Sequence, residues 1–395
     1  MRFSVLRFTI LALVFLAQLY LFARARRAIR SSGCSPRCTR AMLTAVGAIL
    51  GLLFLSNTYL LFNPVAWVDP PLAVRVGLFY AAAVWNFGSL LSAALLLGAQ
   101  AGGLAGRAIL ALWRMARARP TAVPVDPGRR RLLKAGVGGL AAAPIVFSGY
   151  GAAYAARGFA VEELDLPFGH ALRVVQVTDI HAGIYITRRE VRRIADQVTA
   201  LQPDLFVLTG DYITNSMVFL PGCLEEMARV RARYGTFATL GNHENWYGTL
   251  EELQTAFRRH GIPLLVNAHH VVQTERGRFA VAGVDDLRSG DPDLEAALRG
   301  LDPSLPTLLL SHRPEIFPDA AGRGVALTLS GHYHGGQVAL KLPAGPVSFA
   351  HLRTPYPEGL FRIDHAHLYV SRGIGTTFTP VRLNAPAEIT LLRLR

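Results

Sequence analysis

Five short stretches of the sequence collect side chains that bind divalent cations. They are Asp179-Ile180-His181, Gly210-Asp211, Gly241-Asn242-His243-Glu244, Ser311-His312 and Gly331-His332-Tyr333-His334. Two cations held about 3.5–4 Å apart need several ligands from the protein, often with one carboxylate shared between them. A set that mixes imidazole, carboxylate and amide oxygen suits manganese, zinc or iron better than magnesium, which prefers oxygen alone. In extended chain, residues i and i+2 face the same side, so Asp179 with His181, and His332 with His334, can enter one pocket. Gly210, Gly241 and Gly331 allow sharp turns and close approach of the backbone. Taken singly, an Asp-x-His or a Gly-Asp is more often a turn than a site. Five such stretches in this order, each behind a strand-like run, are expected to form one dinuclear centre.

The elements that must position them are legible in the pattern. Strand-like runs are expected at Leu172–Thr178, Leu205–Thr209, Thr236–Leu240, Phe279–Gly283, Thr307–Leu310 and Val325–Leu329, and each of the five stretches follows one of these runs. Thr187-Arg188-Arg189-Glu190 is a capping-box signature opening a helix that ends near Gln202-Pro203. Further helices are expected near Leu224–Arg233 and Leu250–His260. From Gln337 onward the chain is mostly strands: Gly345–Phe349, Gly359–Ile363, His367–Ser371 and Glu388–Arg393. Alternating β and α segments followed by strands predict a layered α/β sandwich of two mixed sheets. Polar residues gathered where strands end are expected of active sites in such folds.

In residues 170–395 the sequence resembles the calcineurin-like metallophosphoesterase superfamily, whose pattern is Asp-x-His, Gly-Asp, Gly-Asn-His-Asp/Glu, His and Gly-His-x-His. The resemblance implies a four-layer αββα sandwich and two divalent metal ions (manganese, zinc or iron) between its sheets. It implies that Asp179, His181 and His334 hold one metal, that Asn242, His312 and His332 hold the other, and that Asp211 bridges them. His243 would be the acid that contacts substrate. Purple acid phosphatases add a tyrosine three residues after the bridging Asp; Thr214 stands there, so a tyrosinate-iron centre is not expected. A narrower similarity is to the membrane-associated bacterial branch that includes proteins acting on UDP-2,3-diacylglucosamine. It rests on Gly331-His332-Tyr333-His334-Gly335-Gly336-Gln337, Tyr356-Pro357-Glu358-Gly359, Ser371-Arg372-Gly373-Ile374-Gly375 and Arg382-Leu383-Asn384-Ala385-Pro386-Ala387-Glu388. Arg372 is a candidate phosphate contact, since a guanidinium binds phosphate bidentately; a turn-stabilising arginine is the alternative. Asp285-Asp286 is a candidate support for a ligand histidine.

Before residue 158 the chain is of another kind. Apolar stretches at about Val5–Phe22, Met42–Phe62, Leu72–Leu97 and Ala135–Ala156 each approach or exceed the roughly 20 residues that cross a hydrocarbon core. Arg24, Arg26, Arg27, Arg30, Arg37 and Arg40 fill the first connector. The third holds Arg107, Arg114, Arg117, Arg119, Arg129, Arg130, Arg131 and Lys134, while the second, Asn63–Pro71, has no basic residue. Basic connectors stay in the cytoplasm. The catalytic part is therefore expected on the extracytoplasmic side of the cytoplasmic membrane. Residues 129–134 resemble a twin-arginine export motif; a plain cytoplasmic anchor is the alternative. The expected organisation is a transmembrane region over 1–157, a linker over 158–169 and a catalytic domain over 170–395.

Composition narrows the functions. Of 41 Lys and Arg, 18 lie before residue 158, where Asp69 and Asp126 are the only acids among 27. The remainder, with 23 basic and 25 acidic residues, is close to neutral, which argues against nucleic acid as a partner. Cys34, Cys38 and Cys223 make no disulfide framework. The expected function is hydrolysis of phosphodiesters or pyrophosphates, on lipid-linked or nucleotide-linked substrates, by a bilayer-anchored enzyme. A broad phosphomonoesterase or nucleotidase on soluble substrates is the main alternative, and a non-catalytic membrane scaffold a lesser one.

Overall fold

The computed structural model describes residues 2–62, 69–116, 127–155, 158–343, 345–377 and 379–395. Arg117, Arg119, Asp126, Arg157 and most of the second connector lie outside the described residues. The chain divides into two compact units, one built from the N-terminal helices and one chiefly from residues 153–395.

The helical unit comprises Arg2–Arg30, Pro36–Phe62, a run that opens at Leu72 and continues through a π-helical stretch into Ala81–Ala116, and Pro127–Ala155. Among the described residues, four segments are long and apolar enough to cross a membrane: Phe8–Arg30, Pro36–Ser56, Leu72–Trp113 and Ala135–Ala155. The third exceeds the expected end at Leu97. Gly98, Gly102, Gly103 and Gly106 are poor helix formers, but strong ones surround them and no proline interrupts the run. Arg107 and Arg114 consequently lie on helix rather than in a loop, as do residues 129–134. Small and polar groups hold the bundle together, as in membrane helices generally. A Cβ on Gly88 would stand 2.8 Å from the Ile145 backbone. Ser92 Oγ donates to Ala141 O at 2.7 Å, and Gln18 Nε2 to Asn86 Oδ1 at 2.9 Å.

The second unit is built on two mixed sheets. The first has the order β1-β13-β2-β3-β4, with β1 Phe159–Leu166, β2 Leu172–Val177, β3 Leu205–Thr209, β4 Thr236–Thr239 and β13 Ala387–Leu394. The second has the order β11-β12-β8-β7-β6-β5, formed by β5 Ala268–Thr274, β6 Gly277–Gly283, β7 Thr307–Leu310, β8 Leu327–Ser330, β11 Gly359–Ile363 and β12 Ala366–Val370. A separate two-stranded hairpin joins β9 Ala339–Leu342 to β10 Gly345–Ser348. Val174, Leu205, Val207 and Leu392 of the first sheet meet Phe279, Val281, Leu308 and Leu329 of the second in a dry core. The opposite face of the first sheet packs Val175, Phe206 and Leu391 on helices Arg188–Ala200, Leu220–Met227 and Leu250–Arg259. Ala282 and Leu309 of the second sheet pack outward on Leu294–Leu298 and Phe317–Gly322. The order of layers is αββα. The strand alternation encodes it, since successive side chains serve opposite cores.

Two expectations change. Residues 158–169, read as a linker, contain β1, which pairs in parallel with β13 from Phe159↔Ala387 to Leu166↔Leu394. Glu162 and Glu163 interrupt its apolar alternation, yet both find arginines, Arg372 and Arg393, at this sheet edge. The helix expected at Leu224–Arg233 runs instead from Leu220 to Met227, because Pro221 fits a first helical turn. The capping box on Thr187 and Glu190 forms as expected.

Candidate metal centre

The five stretches arrive at one place because they follow β2, β3, β4, β7 and β8, whose carboxyl ends lie side by side. The turns are tight. Asp179, His181, Asp211, His332 and His334 all have positive φ, between 50° and 74°. Non-glycine residues rarely adopt this conformation, and where they do the surroundings must hold them there. Gly210, at φ 90°, is required by contact: a Cβ would stand 2.6 Å from Gly241 N and 2.9 Å from His312 Nδ1. At Gly331 a Cβ would collide with the Asp179 carboxylate and the Thr178 hydroxyl.

The side chains form overlapping clusters whose ligand atoms lie within 4.8 Å of one another: Asp179, His181 and His334; His181, Asp211 and His243; and Asp211, His312 and His332. His334 Nε2 is 3.2 Å from Asp179 Oδ1 and 3.1 Å from His181 Nε2. His312 Nε2 is 3.1 Å from His332 Nδ1. Asp211 Oδ2 faces both groups, 3.6 Å from His181 Nε2 and 3.2 Å from His312 Nε2. Nitrogen lone pairs and carboxylate oxygens converging in a buried space form a donor set that fits two cations of the zinc, manganese or iron type.

Backbone carbonyls fix which nitrogen faces inward. His312 Nδ1 donates to Thr209 O at 2.8 Å, and His243 Nδ1 to Thr214 O at 2.5 Å, so each ring turns its Nε2 toward Asp211. Asn242 enters through Arg313. The Arg313 guanidinium donates from Nη2 to Asn242 Oδ1 at 3.1 Å and reaches His332 Nε2 from Nη1 at 2.5 Å. Its Nε binds Asp286 Oδ1 at 2.8 Å. Of the two candidate supporting acids, Asp286 reaches His332 only through Arg313, which stands in none of the five stretches, and Asp285 instead accepts from Asn245 Nδ2 at 2.8 Å.

Electrostatics follow from burial. Asp179 and Asp211 lie out of water, which opposes their ionisation. The charges of His334 and His312 on Asp179, and of His312 and His243 on Asp211, more than offset that and hold both carboxyls below the usual range. Burial lowers His312, yet Asp211 and Asp179 raise it to about 10. His181 and His332 are pushed well below the ordinary imidazole value, by burial first and by neighbouring cations second. Both shifts favour the neutral ring, the form that can donate a lone pair.

Three further residues shape the site. Glu244 accepts from the backbone N–H groups of Gly241, Asp211 and Tyr212 at 3.0, 2.8 and 2.8 Å, tying the second and third stretches together. Burial and the Asp211 charge raise its carboxyl to about 8, against the pull of those donors. Thr377 Oγ1 lies 3.0 Å from His334 Nε2. Arg382, wholly buried, donates to the carbonyls of Arg372, Gly373, Gly375 and Ala385 and stands 3.2 Å from His334 Nδ1. Glu244 completes a stretch visible in the sequence and Arg382 opens another, quoted above for the narrower similarity, whereas Thr377 carries no local signal. Arg372, the candidate phosphate contact, is instead committed to Glu162 at 2.5 Å and Glu388 at 2.9 Å, and it lies 3.8 Å from Glu358. This is the turn-stabilising alternative. Cys223 is buried among apolar side chains, and burial raises its thiol well above the ordinary value.

Comparison with known proteins gives a consistent picture. Residues 172–338 match the family model described as calcineurin-like phosphoesterase. An uncharacterized metallophosphoesterase of Bacillus subtilis, YkuE, is 32% identical over 282 residues, covering 68% of this chain and 97% of that protein. A transmembrane protein with metallophosphoesterase domain from Danio rerio is 30% identical over 269 residues, covering 63% of this chain but 60% of its own length. Among solved structures, a dimetal phosphatase from Danio rerio shares 13% identity at a TM-score of 0.35, covering 52% of this chain and 88% of its own. That distant likeness carries no further argument.

Proposed function

The chain belongs to the calcineurin-like metallophosphoesterase family and is a phosphoester hydrolase working with two divalent cations; from that premise we propose how its residues divide the work, on which substrates and where. Asp179, His181 and His334 would hold one ion, and Asn242, His312 and His332 the other, with Asp211 facing both groups. The observation that carries this assignment is the position of Asp211 Oδ2, within 3.6 Å of an imidazole from each cluster.

When bound, the cations supply Lewis acidity toward phosphoryl oxygens and a nucleophile available at neutral pH. The chain's own residues do the rest. Asp179 and Asp211, kept ionised and dry, bring negative charge where cations must sit. Thr209 and Thr214 hold the rings of His312 and His243 by their backbone carbonyls, so neither ring has to reorient during turnover. His243, anchored at Nδ1, presents Nε2 at the rim of the centre, where a proton can pass to the departing oxygen. Trp246 lies 4.8 Å from the His243 ring and is part of the same rim.

The substrates are phosphodiesters or pyrophosphates on lipid-linked or nucleotide-linked molecules, as in the UDP-2,3-diacylglucosamine-hydrolysing branch. The helices anchor the enzyme in the cytoplasmic membrane, with the catalytic domain outside. Supporting this are the membrane-length helices, the arginine-rich connectors and the similarity to relatives described as transmembrane. The test is turnover by the detergent-solubilised full chain with added manganese. Bis-p-nitrophenyl phosphate and a lipid-linked pyrophosphate are expected to be hydrolysed about tenfold or more faster than p-nitrophenyl phosphate, a difference of about 1.4 kcal/mol in barrier. Preference for the monoester would overturn the substrate reading.

A further inference from the structure

The hairpin β9–β10 leaves both sheets and exposes apolar side chains. Leu340 and Val347 face each other across its two strands, and Leu342 shares their face two residues on. Leu340 is 61% exposed, and in the turn that follows Phe349 is 67% and Leu352 78% exposed. A two-stranded ribbon is marginal alone in water, and gathered apolar exposure of this kind marks a surface that meets something. The hairpin's root is nevertheless fixed: Ala339 N donates to Leu383 O at 2.9 Å, and Asn384 Nδ2 to Ala339 O at 2.8 Å.

Two observations identify what it meets. Residues 337–357 contain Lys341, Arg353 and His351 and no acid, and the Arg353 guanidinium lies 5.7 Å from the Phe349 ring. Apolar side chains interleaved with cations match the headgroup–acyl boundary of an anionic bilayer. The second observation is topological. β1 starts at Phe159, opposite Ala387, and β13 runs antiparallel to β2 with Thr390 opposite Gln176. The chain therefore enters the domain at the end of the sheet that carries Asp179, coming from a helix of membrane-spanning length and composition that finishes at Ala155. The hairpin grows from that same end, five residues after His334.

We propose that the β9–β10 hairpin and the turn through Leu352 dock on the bilayer surface and present the metal centre to phosphoesters carried by membrane amphiphiles. The inference rests on the hydrolase reading above and names its substrate class. The test uses the full chain in nanodiscs of phosphatidylcholine and phosphatidylglycerol, with Cys34 and Cys38 replaced by serine. A bimane label is attached to Phe349→Cys or Leu352→Cys, with Glu251→Cys on an exposed helix as control. Bromine-labelled acyl chains are expected to quench positions 349 and 352 about threefold more than 251. Equal quenching overturns the proposal, and so does shielding of the label by a second copy or another protein without lipid quenching. In the variant Leu340→Ser/Phe349→Ser/Leu352→Ser, the ratio of turnover on vesicle-borne pyrophosphate to turnover on soluble bis-p-nitrophenyl phosphate is expected to fall about tenfold. An unchanged ratio also overturns it. Soluble diester turnover without lipid quenching sinks the hairpin and spares the hydrolase reading. Lipid quenching without turnover of any phosphoester does the reverse.

Discussion

Arg313 shows how a single side chain can set a metal site without entering it. Its guanidinium joins the buried Asp286 to Asn242 and His332, the amide and one imidazole assigned to the same cation. A bare arginine there would repel an incoming cation, but Asp286 at 2.8 Å makes the pair nearly neutral toward it. Positioning therefore outweighs repulsion. Arg313→Ala is expected to weaken binding of one of the two ions about 10–100-fold, as loss of an outer partner typically does. Arg313→Lys keeps the charge but loses the planar fork, and it is not expected to rescue binding. Competition titration against a fluorescent chelator reads both. Two ions bound as tightly as in the unaltered chain would show that Arg313 is packing only.

At the scale of elements, the helices Arg188–Ala200 and Leu220–Met227 are tied by one carboxylate. Glu226 accepts from Arg188, Arg192 and Arg229 at 2.7–3.0 Å. Those hydrogen bonds, Arg192 first, hold its carboxyl down at about 2 against the opposing effect of burial. A depressed folded-state value contributes stability above the unfolded value of about 4.5, and that stability is lost as pH falls through about 2. The arginines are half-exposed, so solvent screening reduces the contribution to about 1–2 kcal/mol. Glu226→Gln is expected to lower stability by that amount at pH 7, with the difference closing between pH 4.5 and 2 in denaturant titrations. A pH-independent difference would contradict the ion-pair account.

The elements also mark where the sequence was legible. Local signals worked: the Thr187 capping box formed, and strand ends carried the metal-binding stretches, because both depend on neighbours a few residues away. β1 was missed because its partner lies more than 220 residues later, from Phe159 to Ala387, and its acids are answered only there. Arg372 stays open between a phosphate contact and a turn-stabilising role in the sequence for the same reason: its partners Glu162 and Glu388 are far from it along the chain. Arg313 and Thr377 sit in no motif, and Arg382, though part of the Arg382–Glu388 stretch, shows its contact with His334 only once the chain is folded.

Over the whole molecule, charge and chemistry are separated along the chain. The N-terminal part carries the positive excess and the apolar helices, and the nearly neutral remainder carries every proposed metal ligand. Helices of membrane-spanning length and composition thus stand apart in sequence from the proposed metal ligands. The hydrolase account stands on Asp211 facing two clusters. The most direct measurement is elemental analysis and turnover of the purified full chain beside Asp211→Asn, with circular dichroism as the check on folding. Two divalent ions per unaltered chain are expected, and in the variant at most one, with turnover reduced on the order of a thousandfold and the fold retained. An Asp211→Asn chain that keeps both ions and full turnover, or an unaltered chain that hydrolyses phosphoesters with no ions bound, would contradict the account.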